Sequence, residues 1–243
     1  MPERGRFLGI VPARGGSKSV PRKNLRPLLG RPLIAWTIES ATAAKSLDRL
    51  IVSTDDAEIA ELSRRWGAEV PFLRPAAIAA DDTPDLPVFQ HALRALREAD
   101  GYVPDAVVHL RPTQPLRTAA EIDRAVELWR RSGADCVKSV RPVAEHPFKM
   151  YRLVGERLVP YLDSEERRRR GPDVPRQSLE SVYLSSGVVD VVRRETVEMG
   201  STEGGSIVPY FTDPATYVNL DSLRDFGIAE ALMRALGWEE ERR

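Results

Sequence analysis

A basic, glycine-containing segment follows the first apolar run of the chain, and it has the composition of an anion-binding loop. The segment "ARGGSKSVPRKNLR" (13–26) contains no acidic residue. Its basic residues are Arg14, Lys18, Arg22, Lys23 and Arg26. Glycine lets backbone N–H groups approach a ligand closely, while Arg supplies a bidentate fork and Lys a point charge. Because concentrated like charge repels itself, the segment predicts a negative ligand, and a triphosphate fits this chemistry.

The sequence offers few competing sites. The basic segment matches neither G-x-x-x-x-G-K-[ST] nor G-x-G-x-x-G, so the P-loop and dinucleotide motifs are absent, and a solvated basic connection is the alternative interpretation. The histidines lack metal-ligand spacing, and "SSG" (185–187) lacks the nucleophile elbow G-x-S-x-G. A lone cysteine, Cys136, excludes an intramolecular disulfide and a multi-cysteine metal site.

Short apolar runs alternate with amphipathic stretches over the first part of the chain. The patterns predict strands at 7–13, 49–55, 68–74, 105–110 and 134–143, and helices at 32–45, 56–67, 86–99 and 119–133. This alternation indicates an α/β fold with a Rossmann-like, open, mostly parallel sheet and helices on both faces. In such sheets ligands bind beyond the carboxyl ends of the strands, where the basic segment begins.

The pattern changes after residue 144. A hairpin is predicted at 148–162, with its turn at Gly155-Glu156, followed by a charged loop at 163–177. Strands are then expected at 181–192 and 204–212, and a closing helix at 223–236. These features predict a single domain, 1–243, with a small excursion at 144–180 that forms a dimer interface, because two isolated strands are marginal without a partner.

Composition restricts the class of protein. The chain has 243 residues with 42% hydrophobic and 30% charged residues, as in an ordinary globular domain. Its formal net charge of zero gives no global attraction to nucleic acid or to an anionic membrane. The N-terminal segment lacks the apolar core of a signal peptide, and no run of about 18 apolar residues occurs. We therefore expect a cytoplasmic protein.

Several motifs, in order, resemble those of the cytidylyltransferases that activate sialic acid and related acidic sugars with CTP. They are "VPARGGSKSVPRKN", "LLGRPLIAWTIESA", "VSTDD", "FLRPAAIAADDTP", "RPTQPLRT" and, near the end, "VNLDS". The first block is highly specific, and the likeness covers most of residues 7–150. The resemblance implies a Mg²⁺-dependent homodimer that transfers CMP from CTP and releases pyrophosphate; Mn²⁺ is a possible substitute.

The resemblance also implies roles for individual residues. It places the phosphates of CTP on the basic segment, with Arg14 and Lys18 as catalytic cations, and the nucleoside against "FLRP" and the "DDTP" turn. The nucleotide-binding residues are then Ala13, Arg14, Gly15, Ser17, Lys18, Lys23, Asn24, Arg74, Asp82 and Thr83. An alternative role for Asp81, Asp82 and Thr83 is to cap the helix predicted at 86–99. Asp55 and Asp56 are expected to cap the helix predicted at 56–67.

The expected metal site departs from the family pattern. The family usually has Asp-x-Asp before its last helix, whereas this chain has Asn219 at the first position and Asp221 at the second. Because Mg²⁺ takes only one or two carboxylates plus phosphate oxygens, we expect Asp221 as the main ligand and Asn219 in support. The alternative is that Asp221 or Ser222 caps the helix at 223.

The acceptor side departs as well. Where the sialic acid enzymes usually have Gln-Pro-Thr, this chain has Arg111-Pro112-Thr113, and Leu184-Ser185-Ser186-Gly187 replaces Arg-Pro-Asn-Gly. A small anionic acceptor remains expected, either a nonulosonic acid or a compound with phosphate or phosphonate. The expected acceptor-binding residues are Arg111, Thr113, Gln114 and Ser186, with a protein carboxylate as the alternative partner of Arg111.

Two other functional classes remain open from the sequence. A uridylyl- or guanylyl-transferase acting on a sugar phosphate uses the same fold and a similar loop. A non-catalytic nucleotide-binding protein is compatible with the loss of an acid at Asn219. Pyrophosphate release with different nucleotides separates these classes.

Overall fold

The computed structural model describes residues 5–238, which form eleven strands and seven α-helices joined by short 3₁₀ turns. The strands are β1 (Phe7–Pro12), β2 (Pro27–Leu28), β3 (Arg31–Pro32), β4 (Arg49–Ser53), β5 (Ala106–His109), β6 (Cys136–Pro142), β7 (Tyr151–Val154), β8 (Arg157–Pro160), β9 (Tyr183–Ser185), β10 (Asp190–Arg193) and β11 (Ile207–Phe211). The helices are α1 (Leu33–Thr42), α2 (Ala57–Arg65), α3 (Asp85–Asp100), α4 (Ala119–Ser132), α5 (Glu165–Arg170), α6 (Arg194–Glu198) and α7 (Leu223–Ala235). The predicted domain, 1–243, extends beyond the described residues at both ends.

A seven-stranded mixed sheet lies at the centre, in the order β11-β6-β10-β5-β1-β4, with β9 beside β6. β1 is parallel to β4 and β5, and β11 is parallel to β6, whereas β10 is antiparallel to both of its neighbours. The chain leaves β1 for β4 on one side and returns to β5 on the other. This reversal makes the carboxyl edge between β1 and β5 the topological switch point, where ligands bind in such folds.

Helices cover both faces of the sheet, and the side chains of β1 pack alternately into the two cores that these helices form. Phe7 and Val11 pack with residues of α1, α2 and α4, while Leu8 and Ile10 pack with residues of α3 and α6. This period of two is what a strand buried on both faces requires. The expected α/β class and Rossmann-like arrangement are confirmed.

The prediction of a strand at 68–74 is wrong. Within residues 5–238 its sheet contact is limited to a bridge between Glu69 and Ile51, in which Glu69 N donates to Leu50 O and Val52 N donates to Glu69 O, each at 2.9 Å. Pro71 has no N–H to extend the ladder, so pairing stops there. The following residues instead turn back across the carboxyl edge of the sheet, where Arg74 N donates to Thr54 O at 2.7 Å.

Two segments after residue 160 also differ from expectation. The charged loop at 163–177 contains α5, whose first turn is capped by Ser164, with its side chain accepting from Arg167 N. The strand expected at 181–192 is divided into β9 and β10 at Gly187, which has a φ of 69°. A Cβ on Gly187 would lie 3.1 Å from Arg111 Nη1, so a close approach and a left-handed backbone both favour glycine there.

The predicted hairpin is present as β7 and β8, with Val154 opposite Arg157 across the turn at Gly155-Glu156. It stands away from the core and exposes apolar side chains: Leu153 and Leu158 are each 68% exposed. Among the helices within residues 5–238, none combines the length and apolar character needed to cross a bilayer.

Candidate active site

A cleft of about 410 Å³ opens at the carboxyl ends of β1 and β5, at the switch point of the sheet. One wall consists of the basic loop, and the other contains the residues that follow β5. The cleft is lined by Pro12, Arg14, Ser17, Lys18, Ser19, Lys23, Asn24, Asp81, Pro112, Thr113 and Asp221. The structure therefore brings together five of the predicted nucleotide residues, the predicted metal ligand Asp221 and the predicted acceptor residue Thr113.

The basic loop is held in place from below by acidic residues and by its own asparagine. Gly15 N donates to Asp55 Oδ1 at 2.9 Å, and Asn24 Nδ2 donates to the carbonyl of Arg14 at 3.1 Å. A Cβ at Gly15 would lie 2.6 Å from Asp56 Oδ2, so only glycine fits this close approach. Asp56 caps α2, as expected, but Asp55 anchors the loop instead of capping the helix.

Positive charge exceeds negative charge on the loop side of the cleft. Arg14 and Lys18 both form ion pairs with the carboxylate of Asp81, which reaches across from the "DDTP" turn. The Lys18 side chain is 85% exposed, and that of Arg14 is 30% exposed. One protein carboxylate is thus shared by two cations that line the cleft.

Within the "DDTP" turn, Asp81 lines the cleft. The helix that follows begins after Pro84 with no side-chain cap, so the capping role considered for Asp81, Asp82 and Thr83 is wrong. Asp82 is exposed. Thr83 closes the turn with a hydrogen bond, in which its backbone N–H donates to Ala80 O at 3.2 Å. The acidic pair in the sequence was a visible signal, but only the fold shows which carboxylate faces the loop.

Arg74 lies behind the loop wall and is buried. It donates through Nε to Ser53 Oγ at 3.1 Å and through Nη2 to the carbonyl of Ser53. Burial lowers the pKa of its guanidinium, and the nearby Asp55 and Asp85 carboxylates partly offset that effect. Ala13 is also buried, with its N–H on Ser53 O at 3.0 Å. Both residues support the wall of the cleft from within.

The far wall carries Asp221 on a hydrogen-bonded frame. Lys23 Nζ donates to Leu220 O at 2.9 Å and lies 3.3 Å from Asp221 Oδ1. Asn219 Nδ2 donates to Asp221 Oδ2, while Asn219 Oδ1 accepts from Gln114 Nε2 at 3.0 Å. Helix α7 is capped by a reciprocal pair, Ser222 and Asp225, so the capping role considered for Asp221 or Ser222 belongs to Ser222 and not to Asp221.

The side chains of this wall fit a divalent cation that is coordinated mainly by water and by the phosphates of a bound nucleotide. Within residues 5–238, no cluster of three or more His, Cys, Asp or Glu side chains forms a dedicated metal site. Asp221, with 66% of its side chain exposed in the cleft, supplies one carboxylate. That matches the way Mg²⁺ is usually bound beside nucleotide phosphates, with one or two protein carboxylates and several waters.

Beyond β5, Arg111 lies between two protein carboxylates. Its Nη1 donates to Asp190 Oδ2 at 3.1 Å, and its Nη2 donates to Asp85 Oδ2 at 3.3 Å. Asp190 is buried and also accepts from the N–H and hydroxyl of Ser139, at 2.9 and 3.0 Å. The alternative expected for Arg111, a partner within the protein, is therefore the contact observed. Asp190 was missed, although a single acid within the apolar run "VVDVV" is a signal of a buried ion pair.

Other buried polar groups surround this cluster. Ser186 is buried, with its N–H on Ser139 O at 2.9 Å and its hydroxyl unpaired within the described part of the chain. His109 is buried, and burial, reinforced by nearby Arg111, Arg117 and Lys138, holds its pKa well below the ordinary value. Burial also lowers the pKa of Arg117 to about 9, and this side chain donates to Val188 O at 2.7 Å and Thr37 Oγ1 at 2.9 Å.

The family model described as "Cytidylyltransferase" matches residues 8–159, which include the basic loop, Asp81 and Arg111. The chain belongs to the cytidylyltransferase family. The expectation from the sequence motifs is thus confirmed at the level of the family, and the matched segment contains one full wall of the cleft and the residues that follow β5.

Individual relatives of this cytidylyltransferase agree with the assignment. The CMP-N,N'-diacetyllegionaminic acid synthase of Legionella pneumophila is 38% identical over 142 residues, which are 58% of this chain and 60% of the relative. The post-translational flagellin modification protein B of Campylobacter coli is 29% identical over 94% of this chain and 95% of its own length. The match to the Legionella protein thus spans about three fifths of that relative.

A solved structure supports the fold alone. The CMP:2-keto-3-deoxy-manno-octonic acid synthetase complexed with CTP superimposes with a TM-score of 0.66, covering 95% of this cytidylyltransferase and 99% of that chain. Sequence identity between the two is only 15%. At that identity the comparison confirms the architecture of the sheet and helices.

Proposed function

We propose that this cytidylyltransferase transfers CMP from CTP to a nonulosonic acid and releases pyrophosphate. The observation that carries the proposal is the pair of accessible cations, Arg14 and Lys18, on a glycine loop at the switch point of a cytidylyltransferase fold. The similarity to a relative named as a CMP-N,N'-diacetyllegionaminic acid synthase supports an acidic sugar as acceptor.

The proposed reaction is an in-line displacement at phosphorus. A hydroxyl oxygen of the acceptor forms a bond to the α-phosphorus of CTP, the bond from that phosphorus to the bridging oxygen breaks, and the hydroxyl proton passes to solvent. Arg14 and Lys18 neutralise the charge that grows on the leaving pyrophosphate, while Ser17, Lys23 and Asn24 shape the cradle. A bound Mg²⁺ or Mn²⁺ would supply further charge stabilisation to the phosphates. Catalysis then consists of positioning and electrostatics, without a covalent enzyme intermediate.

The remaining predicted residues divide between nucleotide and acceptor. Ala13, Gly15 and Arg74 give the loop wall its shape, and Asp82 and Thr83 border the nucleoside end. Thr113 lines the cleft, Arg111 has 32% of its side chain exposed beside it, and Gln114 and Ser186 lie buried beneath. Because two carboxylates, Asp85 and Asp190, already outweigh the single positive charge of Arg111, this region repels a doubly charged phosphonate more strongly than a singly charged carboxylate. A carboxylate-bearing sugar suits it better.

The decisive experiment measures pyrophosphate release with CTP, UTP, GTP and ATP against a panel of acceptors. The panel contains sialic acid, N,N'-diacetyllegionaminic acid and a phosphonate-bearing compound, each with excess Mg²⁺. We expect release only with CTP and a nonulosonic acid. Release with another nucleotide, or with the phosphonate alone, would replace the proposal with another nucleotidyl transfer. CTP binding without any turnover would indicate a non-catalytic nucleotide-binding protein.

We also propose that the protein is a homodimer and that it acts in the cytoplasm. The exposed apolar side chains of the β7–β8 hairpin support an isologous interface, since a two-stranded ribbon buries too little surface by itself. Light scattering at micromolar concentration should give the mass of a dimer, and the double variant Leu153→Arg, Leu158→Arg should give that of a monomer. A monomeric unmodified protein would contradict the proposal.

A further inference from the structure

Two side-chain amides connect the segment after β5 to the carboxylate of Asp221. Gln114 is 3% exposed, and its Nε2 donates to Asn219 Oδ1 at 3.0 Å. Asn219 Nδ2 in turn donates to Asp221 Oδ2. The two segments are joined along the backbone as well, because Leu220 N donates to Thr113 O at 3.0 Å. A buried glutamine is therefore connected, through one asparagine amide, to a carboxylate that lines the cleft.

The direction of this amide chain follows from the carboxylate at its end. An ionised carboxylate can only accept hydrogen bonds, so Asn219 must present its NH₂ group to Asp221. The Asn219 oxygen then points away and requires a donor, which the NH₂ group of Gln114 provides. In this arrangement the oxygen that would bind a metal is already occupied, and Asn219 acts on Asp221 as a donor.

Asp221 is consequently held on both of its oxygens. Asn219 binds Oδ2, and Lys23 Nζ lies 3.3 Å from Oδ1 while it also donates to the carbonyl of Leu220. The side chain also lines the cleft, and 66% of it is exposed. Fixing a carboxylate in this way restricts its rotation and reduces the entropy lost when it binds a cation.

We propose that Gln114 and Asn219 are positioning residues, which hold Asp221 as the protein's carboxylate ligand for the divalent cation that accompanies CTP. The inference rests on the proposed function in one respect, that CTP is bound with a metal. It replaces two sequence-based assignments with one shared role: Asn219 is a hydrogen-bond donor instead of a second ligand, and Gln114 acts on Asp221 instead of on the acceptor.

The test is the affinity of the CTP complex for Mn²⁺, measured by electron paramagnetic resonance of the free ion. Gln114→Met keeps the buried volume but removes the NH₂ group that donates to Asn219. Asn219→Ala removes the amide that links Gln114 to Asp221, at a half-buried position. Loss of a residue that orients a metal ligand typically weakens metal affinity by about 10- to 100-fold. We expect both variants to raise the Kd for Mn²⁺ by about 10-fold or more.

Gln90→Met is the matched control. Gln90 is a partly buried glutamine whose Nε2 donates to Val197 O at 3.0 Å, and it lies on α3 away from the cleft. We expect its Mn²⁺ affinity to equal that of the unmodified protein. In addition, affinity for CTP in EDTA should be the same in all of these proteins, whereas general loosening of the cleft would lower it in the Gln114 variant.

The outcomes separate this inference from the proposed function. If Gln114→Met binds Mn²⁺ as tightly as the unmodified protein, or more tightly because the Asn219 oxygen has been freed, the positioning role is wrong while CTP-dependent turnover can stand. Weakening of the same size in Gln90→Met, or a parallel loss of CTP affinity in EDTA, would also overturn it. Failure of the proposed function would appear as absent pyrophosphate release in the unmodified protein.

Discussion

Arg14 and Lys18 on the basic loop share a single carboxylate, Asp81, whereas Arg111 beyond β5 lies between two, Asp85 and Asp190. Arg14 and Arg111 have similarly exposed side chains, 30% and 32%, but the Asp81 side chain is 32% exposed whereas that of Asp190 is only 5% exposed. An exposed carboxylate can be displaced from its cation by an anionic ligand, whereas a buried carboxylate depends on its own cation. Equal-looking arginines at the same edge of a sheet thus have different roles.

The largest effect should come from removing the loop cations. Arg14→Ala and Lys18→Ala should each lower turnover with CTP by about 100-fold or more, because each would remove charge stabilisation of the leaving pyrophosphate. The fold should be unaffected, since both side chains lie on the surface of the cleft. Steady-state pyrophosphate release and the thermal unfolding midpoint measure the two quantities.

Arg22→Ala provides the control on the same loop. Arg22 pairs with Asp56 at 2.5 Å and with Glu58 on α2, so its charge is directed away from the cleft. We expect less than a few-fold loss of turnover in this variant. Near-normal turnover in Lys18→Ala, or equal losses in all three variants, would show that the loop does not distinguish ligand-binding from structural cations.

Arg111→Gln tests the other side of the comparison. Asp190 would lose its charged partner, so we expect a loss of about 2 kcal/mol in the free energy of unfolding, measured by urea titration. If the acceptor carboxylate also uses Arg111, its KM should rise by about 10-fold while the affinity for CTP stays unchanged.

Arg97→Gln is the matched control, because Arg97 forms a surface ion pair with Glu198, and its replacement should lower the free energy of unfolding by less than about 1 kcal/mol. Weakened CTP binding in Arg111→Gln, with the acceptor KM unchanged, would place Arg111 in the nucleotide site. Unchanged stability would show that the two carboxylates do not depend on it.

This contrast also explains what the sequence could predict. The order of strands and helices follows local periodicity, and the position of the basic loop follows from its place after β1. Pairings across the sheet do not: Asp190 and Asp85 meet Arg111 from 79 and 26 residues away. The strand predicted at 68–74 does not form because Pro71 has no N–H to donate. The helix within 163–177 forms because Ser164 caps its first turn. In both cases one local feature overrides the average pattern.

A smaller effect is expected from the shared carboxylate of the loop. Asp81 must leave Arg14 and Lys18 when phosphate oxygens bind, so Asp81→Asn should tighten the binding of inorganic pyrophosphate by about 3- to 10-fold, as expected for two exposed ion pairs. Calorimetry in EDTA at low and high salt measures this, and the gain should shrink with salt. Asp173→Asn, which removes an exposed acid from the distant excursion, should leave pyrophosphate binding unchanged.

Weaker pyrophosphate binding in Asp81→Asn would contradict this expectation. It would show that Asp81 supports the loop in its binding conformation, as Asp55 does through Gly15, and does not compete with the ligand. The loop side of the comparison would then also contain a structural carboxylate, and its excess of accessible positive charge would be smaller than the ion pairs suggest.

The smallest effect on turnover is expected at His109, within the buried cluster. Its ring stacks edge-on against Phe89 with centroids 4.8 Å apart, and its Nδ1 lies 3.8 Å from Asp85 Oδ2. Burial keeps the folded-state pKa of His109 well below that of the unfolded chain, so below about pH 6.5 the unfolded state binds the extra proton. Stability should therefore fall as the pH decreases from 6.5, by up to about 1.4 kcal/mol per pH unit for this one group.

His109→Phe should remove that dependence. The replacement keeps an aromatic ring against Phe89 and eliminates Nε2, which has no hydrogen-bond partner within residues 5–238. Urea unfolding at pH 5, 6, 7 and 8 should give a shallower loss of stability at low pH than in the unmodified protein, with turnover at pH 8 nearly unchanged. A residual slope is expected from His91, whose pKa burial also lowers. If the slopes of the two proteins coincide, the folded protein protonates His109 as readily as the unfolded chain does. The buried cluster would then carry more positive charge at low pH than its geometry indicates, and would resemble the basic loop in charge.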